Sequence, residues 1–303
     1  MEPAGLISKI QRYSTKDGPG IRSTVFFLGC SLNCKWCSNP ELIASEPQLL
    51  YFQDRCKGCG TCVSIASNGS IKLYEERCSI DRAKLNNIGE VAESCPYDAY
   101  EAAGYYVGAE NLAKKLLRDR VFYAQSGGGV TFSGGEPCLQ AEFVRKTASL
   151  LRAEGVSVAL DTAGNIPWET LAAVLSETEI VLYDIKAFDE ELHLKLTGAG
   201  NELILQNARR TAETGKPMLI RLMIIPGIND SDGETNAKLE FIAGLGPSVK
   251  RVDILPYHRL GLGKYEHLGL RYELADIPEC PKEPAEIAAR EAEKFGLSVS
   301  VGG

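Results

Sequence analysis

Short apolar runs alternate with stretches of helical periodicity through most of this chain. The runs predict buried strands over residues 24–28, 129–133, 156–161, 180–186, 218–225 and 251–256. Between the later runs, apolar residues recur at the spacing of one helix face over residues 142–154, 168–176, 202–214 and 236–245. Such alternation is typical of a parallel sheet with helices packed against it. The pattern therefore predicts an α/β fold, a full or partial TIM-type (β/α)6 barrel.

Conspicuous polar residues fall at the ends of the predicted strands. In parallel barrels the chemistry lies at the carboxyl ends of the strands, so we expect these residues to share one rim. They are three cysteines after the first strand, Gly134, Gly135 and Glu136 after the second, Asp161 and Thr162 at the third, Asp184 and Lys186 at the fourth, Arg221 in the fifth, and His258 after the sixth. Each residue alone is more simply explained as a surface or satisfied polar group, but their coincidence at one rim favours a shared site.

Composition and charge exclude several classes of function. The chain has 303 residues, of which 44% are hydrophobic and 24% charged, as in an ordinary globular protein. Its net charge of −7 predicts no general attraction to nucleic acid or to an anionic membrane. No apolar run reaches the roughly 18 residues of a membrane helix, and the N-terminus lacks the pattern of a signal peptide. We therefore expect a cytoplasmic protein that does not associate with membranes.

Ten cysteines in a chain without a secretion signal favour metal ligation in a reducing cytoplasm over a disulfide framework. Cys30, Cys34 and Cys37 form a C-x3-C-x2-C pattern in the loop after the first strand. Three thiolates on one loop can hold three corners of a cubane [4Fe–4S] cluster, and the fourth iron is then open to another molecule. A structural zinc site and a set of buried thiols are the alternatives.

The cysteine loop resembles that of the radical S-adenosylmethionine (SAM) superfamily, because an aromatic residue, Trp36, precedes its last cysteine. The flanking strings DGPGIR at residues 17–22 and CSNP at residues 37–40 resemble the glycyl-radical-enzyme activating enzymes, a group that includes pyruvate formate-lyase activase. The resemblance implies an enzyme that cleaves SAM to methionine and a 5′-deoxyadenosyl radical. That radical then takes a hydrogen atom from a backbone glycine Cα of a partner glycyl radical enzyme. It also implies a flavodoxin- or ferredoxin-type electron donor and an anaerobic setting.

The same resemblance implies roles for the residues of the predicted rim. Gly134, Gly135 and Glu136, in the string GGEP, match the motif for the methionyl amino group of SAM. Lys186 matches the cation that neutralises the SAM carboxylate, a role that suits a poorly solvated pocket. The other matches are Trp36 near the adenine, Asp184 and His258 at the ribose hydroxyls, Arg221 at SAM or its carboxylate, Asp161 and Thr162 at SAM and a monovalent cation, and Asp17 at the partner peptide. The methionine that contributes to that cation site in pyruvate formate-lyase activase is Leu182 here.

Residues 51–104 differ in character from the rest and interrupt the barrel pattern. They contain Cys56, Cys59, Cys62 and Cys95, the last followed by a proline, and they resemble a two-cluster bacterial ferredoxin. We therefore predict three segments. These are the start of the barrel at 1–50, an inserted α+β ferredoxin-like domain at 51–104, and the remainder of the barrel at 105–303.

One of the two ferredoxin cluster sites lacks its cysteines. Crossed ligation, in which each fourth cysteine binds the other cluster, leaves the complete set Cys56, Cys59, Cys62 and Cys95. The other set consists of aliphatic residues, Ala66, Leu85, Ile88 and Val91. We therefore predict one auxiliary [4Fe–4S] cluster, a small apolar core in place of the second cluster, and a free thiol at Cys78.

Two other functions are compatible with parts of the pattern. A radical SAM enzyme that acts on a small molecule or another peptide is the first, and the string DGPGIR argues against it. A non-catalytic iron–sulfur electron-transfer protein is the second, and it would explain the insert but not the rim residues.

Four further residues carry no motif at ligand spacing. We expect Cys138 and Cys280 to be structural or incidental, and His193 and His267 to be solvated. The glycines at 127–129 lack the Gly-Lys-Ser/Thr that completes a phosphate-binding loop, so a flexible connector is the prediction there.

Overall fold

The computed structural model describes residues 3–302, and its strands and helices follow one another in chain order. The strands are β1 (Ala4–Ser14), β2 (Arg22–Phe27), β3 (Gln48–Tyr51), β4 (Ile71–Tyr74), β5 (Arg77–Ile80), β6 (Tyr100–Ala103), β7 (Tyr105–Gly108), β8 (Gly129–Gly134), β9 (Ser157–Thr162), β10 (Ile180–Asp184), β11 (Met218–Ile224), β12 (Val249–Pro256) and β13 (Val299–Val301). The helices are α1 (Thr61–Ile65), α2 (Ile88–Ser94), α3 (Ala109–Leu116), α4 (Arg120–Ser126), α5 (Ala141–Ala153), α6 (Trp168–Leu175), α7 (Glu190–Thr197), α8 (Glu202–Glu213), α9 (Asp232–Gly244), α10 (Leu262–Leu268) and α11 (Lys282–Lys294).

Nine of these strands form one mostly parallel sheet in the order β13-β12-β11-β10-β9-β8-β2-β1-β7. All pairs from β2 to β13 along this order are parallel, whereas β1 pairs antiparallel with both β2 and β7. The six predicted strands correspond to β2 and β8–β12, and the four predicted helices to α5, α6, α8 and α9, each within a few residues. The predicted α/β class with a parallel sheet is therefore confirmed.

The hydrophobic pattern does not predict every element of the sheet and its helices. Helix α11 buries a face of small residues, Ala285, Ala288 and Ala292, against the core. Alanine is a weak hydrophobic signal, so this face does not stand out in the sequence. Strand β13 follows α11 and has three residues, which is too short for a clear period-two pattern.

The two faces of the sheet differ in polarity. Side chains such as Val130, Leu160 and Ile220 lie on the apolar face and belong to the main core beneath the helices. Alternate residues point to the other face. There the strand register aligns polar residues of neighbouring strands, Thr24 with Thr131, Asp184 with Arg221 and Arg221 with Asp253. The alternation thus leaves a row of polar residues on the face away from the main core, called the polar face below, beside the apolar Ala159, Leu182 and Leu219.

The region around residues 48–103 packs around a small core of its own. Strand β3 pairs with β6 and β4 with β5, both antiparallel, and α1 and α2 pack beside them. Two of the aliphatic residues predicted to replace a second cluster, Ala66 and Val91, are buried in this core. The other two, Leu85 and Ile88, pack against it. The predicted small apolar core is therefore present.

Over residues 3–302, none of the helices combines the length and apolar character needed to cross a membrane.

Candidate functional site

The predicted rim residues lie at or just beyond the carboxyl ends of adjacent parallel strands. The cysteine loop follows β2, Gly134 ends β8, Asp161 and Thr162 end β9, and Asp184 ends β10. Lys186 lies two residues beyond β10, Arg221 lies inside β11, and His258 lies two residues beyond β12. Because these strands are neighbours in the sheet, the fold brings the residues to one edge.

Backbone hydrogen bonds hold the cysteine loop in place from two sides. The amide of Cys30 donates to the carbonyl of Ile43 over 3.0 Å, which closes the loop on its own C-terminal end. The amides of Asn33 and Lys35 donate to the carbonyls of Thr197 and Leu196, over 2.7 and 3.0 Å. Those carbonyls belong to the last turn of α7, where helix carbonyls have no partner within the helix. The end of α7 therefore anchors the loop that presents the three thiols.

The three thiols of the loop lie in a poorly solvated environment. Burial raises the pKa of the Cys30 thiol to about 11 and that of the Cys34 thiol to about 12. Burial also raises the pKa of Cys37, and the Lys186 ammonium lowers the pKa of all three thiols in opposition to burial. The thiols are thus neutral without metal, and iron would displace their protons on binding.

Gly134 and Gly135 allow two backbone segments to touch. The amide of Gly135 donates to Phe27 over 2.9 Å and the amide of Glu136 donates to Gly29 over 2.7 Å. A Cβ on Gly135 would lie 2.1 Å from the Gly29 carbonyl oxygen, and Gly134 has a φ of +104° as well as no room for a Cβ. Both positions therefore require glycine, because the end of β8 packs directly against the start of the cysteine loop.

Glu136 is buried and fully engaged with the protein. Its Oε1 accepts from the Cys138 amide over 3.2 Å, and its Oε2 accepts from the Thr162 hydroxyl over 2.7 Å and from the Ala163 amide over 3.3 Å. Burial raises the pKa of Glu136 to about 7, against the effect of these hydrogen bonds. The carboxyl group thereby joins the ends of β8 and β9 behind the rim.

An ionic network crosses the polar face beneath the rim. Arg221 donates from Nη1 to Asp161 Oδ2 over 2.8 Å, and its Nη2 lies 3.3 Å from Asp17 Oδ1. Ser133 donates to the same Asp161 Oδ2 over 2.6 Å. The other oxygen of Asp161, Oδ1, is buried and has no hydrogen-bond partner. Burial raises the pKa of Asp161 although Arg221 acts in the opposite direction.

Asp17 is held inside this network. Its Oδ2 accepts hydrogen bonds from the hydroxyls of Ser14 and Thr24, each over 2.6 Å. Arg22 is completely buried next to it and donates to the Thr131 hydroxyl and the Val130 carbonyl, over 2.7 and 2.6 Å. Both ends of the DGPGIR segment are thus fastened to the polar face of the sheet.

Lys186 and Asp184 form a partly buried ion pair of 2.7 Å next to the cysteine loop. Burial opposes the charge on Lys186, but the Asp184 carboxylate acts in the opposite direction, and the pKa of Lys186 is raised. His258 is half-buried, and its Nδ1 accepts from the Leu260 amide over 3.4 Å. Lys186 is therefore a permanent positive charge beside the three thiols.

The segment after β12 covers the outer side of the cysteine loop. Trp36 is buried in a second apolar cluster with Tyr257, Tyr265 and Tyr272. Lys264 of α10 donates to Asn39 Oδ1 over 2.6 Å and pairs with Glu41 Oε1 over 2.5 Å. The chain beyond β12 thereby holds the second half of the loop.

The region around residues 48–103 places four of its cysteines around one core and leaves one outside. Cys62 is buried in that core, and Cys56, Cys78 and Cys95 pack against it, whereas Cys59 is exposed. The sulfurs of Cys62 and Cys78 lie 3.6 Å apart, and the Tyr100 hydroxyl donates to Cys62 over 3.4 Å. Cys78 is therefore in contact with one of the predicted ligands.

Several polar residues of the site escape a motif search. Thr131, Ser133 and Asp253 are buried on the polar face. The signal that could have identified them is their period-two spacing inside otherwise apolar strands. The expectation for His193 is wrong, since its side chain is fully buried on α7 and its Nδ1 lies 2.7 Å from the Ala199 carbonyl oxygen.

No group of three or more Cys, His, Asp or Glu side chains among residues 3–302 is arranged around a single metal ion. A lone zinc ion needs all its ligands within about 2.3 Å of one point. In a cubane cluster, by contrast, each cysteine binds a different iron and the sulfurs stand apart. Among the described residues, the loop thiols are thus not gathered around one point.

Known proteins share both the motifs and the fold of this chain. The radical SAM superfamily model matches residues 24–239. The chain is 36% identical over 301 residues to a trans-4-hydroxy-L-proline dehydratase activating enzyme of Clostridioides difficile, covering 98% of this chain and 99% of the relative. It is 38% identical over 280 residues to an isethionate sulfite-lyase activating enzyme of Nitratidesulfovibrio vulgaris, covering 90% of each.

A solved structure supports the same relationship. It is a domain of pyruvate-formate lyase-activating enzyme from Bacteroides vulgatus, 31% identical, with a TM-score of 0.50 over 58% of this chain and 100% of that domain. These matches agree with the structure, in which the cysteine loop, the glycine-rich end of β8 and the rim residues lie on one parallel sheet. The chain belongs to the radical SAM superfamily and, within it, to the glycyl-radical-enzyme activating enzymes.

Proposed function

We propose that this protein activates a partner glycyl radical enzyme by reductive cleavage of SAM and abstraction of a hydrogen atom from a backbone glycine Cα. The observation that carries the proposal is the position of Lys186 and the polar rim beside the three thiols of the cysteine loop. The relatives support it, since each is named as the activating enzyme of another enzyme.

The residues present fit a [4Fe–4S] cluster with one open iron. Cys30, Cys34 and Cys37 would hold it, and the backbone bonds to α7 would keep the loop in place during assembly. A bound cluster supplies the electron that cleaves SAM. The three thiols lie in a poorly solvated environment, so water would be largely excluded from a cluster bound there and from the SAM carboxylate beside Lys186.

SAM would lie across the rim between the cysteine loop and β12. Lys186 would bind its carboxylate, and Gly134, Gly135 and Glu136 would lie at its amino group. We assign the ribose hydroxyls to Asp184 and His258, the adenine to the neighbourhood of Trp36, and further contacts to Thr162 and Arg221. Asp161 is a candidate ligand for a monovalent cation, because its Oδ1 is buried with no hydrogen-bond partner.

Asp17 would meet the partner peptide through the segment that carries it. In the absence of the partner its carboxylate is bound to Ser14, Thr24 and Arg221. To contact the peptide, the Asp17 carboxylate would either use its remaining lone pairs or give up its bond to Ser14, Thr24 or Arg221.

We also propose the finer architecture that the sequence suggests. The parallel strands would form a partial barrel, and the partner loop would enter through its gap. The sheet order supports this, because it begins at β13 and ends at β7 and these two strands do not pair with each other. Residues 1–50 and 105–303 would form that barrel, and residues 51–104 the ferredoxin-like insert. The insert would hold one auxiliary [4Fe–4S] cluster on Cys56, Cys59, Cys62 and Cys95.

The cellular setting follows from the same chemistry. A flavodoxin- or ferredoxin-type protein would supply the electron in an anaerobic cytoplasm. All ten cysteines are free thiols, which suits a reducing compartment.

The test of the function is electron paramagnetic resonance of candidate partners. Reduced protein and SAM should produce a glycyl radical in the correct glycyl radical enzyme, together with methionine and 5′-deoxyadenosine. Cys34→Ala should abolish deoxyadenosine formation while retaining the fold, and Cys280→Ala, outside both predicted cluster sites, should retain the activity. Deoxyadenosine formation at the normal rate by Cys34→Ala would contradict the proposal, and a modified small molecule would favour the first alternative.

A further inference from the structure

Cys78 has no assigned role, yet its sulfur is in contact with the sulfur of a predicted cluster ligand. The Sγ atoms of Cys62 and Cys78 lie 3.6 Å apart, although the two residues are separated by 16 positions in the chain. Cys62 is buried on α1, and Cys78 on β5 is partly exposed. The contact forms because the β4–β5 hairpin folds over the start of α1.

Contacts with Tyr51 and with the Cys56–Cys59 loop keep the β4–β5 hairpin in that position. The Cys78 amide donates to the Tyr51 hydroxyl over 3.1 Å, and the Cys78 backbone pairs with Leu73 across the hairpin. At the tip, an added Cβ on Gly58 would lie 3.1 Å from Glu76 Cα, so the hairpin rests on the Cys56–Cys59 loop. The proximity of the two sulfurs is therefore a consequence of the packing of the insert.

Cys62 and Cys78 cannot both be ligands of one cubane in this arrangement. Each cysteine of such a cluster binds its own iron, and sulfurs in direct contact leave no room for the cluster edge between them. A disulfide, by contrast, needs an S–S distance of about 2 Å, so the two sulfurs need to approach by only about 1.5 Å.

We propose that Cys62 and Cys78 form a reversible disulfide when the auxiliary site is empty, so that reduction of this bond controls assembly of the auxiliary cluster. This inference rests on the proposed auxiliary cluster for its functional meaning. The disulfide itself depends only on the two thiols.

The oxidant is a low-molecular-weight disulfide such as oxidised glutathione. The partly exposed Cys78 attacks it as a thiolate, forms a mixed disulfide and releases one small thiol. The Cys62 thiolate then displaces the second small thiol and closes the protein disulfide. Two electrons and two protons pass from the protein to the oxidant, and a small dithiol reverses the reaction.

The pairing differs from what the sequence suggests. Spacing alone favours Cys59 with Cys62, since they form a C-x-x-C pair. In the fold, however, the Cys59 side chain is exposed and its sulfur contacts the Thr61 hydroxyl at 3.4 Å. Cys78, although 16 positions away in the chain, is thus the better partner for Cys62.

The test uses the full chain after anaerobic removal of iron. After incubation with oxidised glutathione, peptide mapping by mass spectrometry should find Cys62 joined to Cys78 as the main cross-link of the insert. The oxidised protein should then take up about four fewer irons on reconstitution than the reduced protein, and dithiothreitol should restore them. Cys78→Ser should lose this cross-link, and Cys280→Ser should keep it.

Three outcomes would overturn the inference. Glutathione that stays attached to Cys78, or a main cross-link between Cys59 and Cys62, would disprove the proposed pair. If reduced Cys78→Ser lost about four irons, Cys78 would be a cluster ligand instead. If the reduced wild-type chain binds only about four irons, the auxiliary cluster of the proposed function fails, while the peptide map still decides the disulfide separately.

Discussion

At the scale of single residues, Lys186 provides a specific test of the proposed SAM site. Its ammonium lies beside the thiols and pairs with Asp184 at 2.7 Å. Loss of a charge-assisted bond costs roughly 1.5–3 kcal/mol, so Lys186→Ala should weaken SAM binding about 10- to 150-fold. Anaerobic equilibrium dialysis with labelled SAM measures this effect.

The matched control is Lys195→Ala, because Lys195 is exposed on α7. It should bind SAM as the unmodified protein does, and iron content should change little in either variant. Unchanged SAM affinity in Lys186→Ala would mean that another group binds the carboxylate.

Glu136 provides a residue-scale prediction about pH. Burial raises its folded pKa from 4.5 to about 7, so the folded protein holds this proton more tightly than the unfolded chain. The resulting stability is fully present below pH 4.5 and is lost as the pH rises through about 7. Glu136→Gln stays neutral, so its free energy of unfolding relative to wild type should rise across this range by about 3 kcal/mol.

Urea denaturation of the iron-free protein at several pH values measures the difference. Glu142→Gln, which changes an exposed carboxylate on α5, is the control. A difference between Glu136→Gln and wild type that does not vary with pH would show that Glu136 is not protonated on folding.

At the scale of elements, the contact between the end of β8 and the cysteine loop sets the geometry of the site. A methyl group on Gly135 would meet the Gly29 carbonyl oxygen at 2.1 Å, so Gly135→Ala should push the two segments apart. Overpacking of this kind costs roughly 1–3 kcal/mol. We expect a lower free energy of unfolding and a loss of iron from the loop cluster, measured by denaturation and by iron analysis.

Gly244→Ala at the end of α9 is a suitable comparison, because an added Cβ there has open space around it. That variant should keep its iron and its stability. Normal iron content in Gly135→Ala would indicate that the loop can shift without losing its function.

At the scale of the whole molecule, the number of clusters distinguishes this chain from an enzyme with the loop cluster alone. We expect about eight irons per chain after anaerobic reconstitution, and about four in Cys62→Ser or in Cys34→Ser. Chemical iron analysis with EPR of the reduced protein measures both. About twelve irons would reveal a second auxiliary cluster, despite the apolar packing of Ala66, Val91 and their neighbours, and about four would show that the insert holds none.

The sequence alone determined the strands that carry the site. Apolar runs bounded by polar residues identify β2 and β8–β12, because a buried strand must be apolar on at least one face over most of its length. The positions of the cysteine loop and the rim residues follow, since the carboxyl ends of parallel strands meet at one edge. The small apolar core of the region around residues 48–103 was equally predictable, because it follows from cysteine spacing, which is a local signal.

Only the tertiary structure decided which of these residues touch. The contacts of Arg221 with Asp17 and Asp161 join positions 204 and 60 residues apart, and no local pattern encodes such pairs. The burial of His193 depends on how α7 packs against the rest of the fold, and the sequence of α7 alone does not predict that packing. The contact between Cys62 and Cys78 likewise depends on a hairpin folding over a helix. Side-chain partners of this kind are decided by the packing of elements distant in the chain, whereas the elements themselves follow from local periodicity.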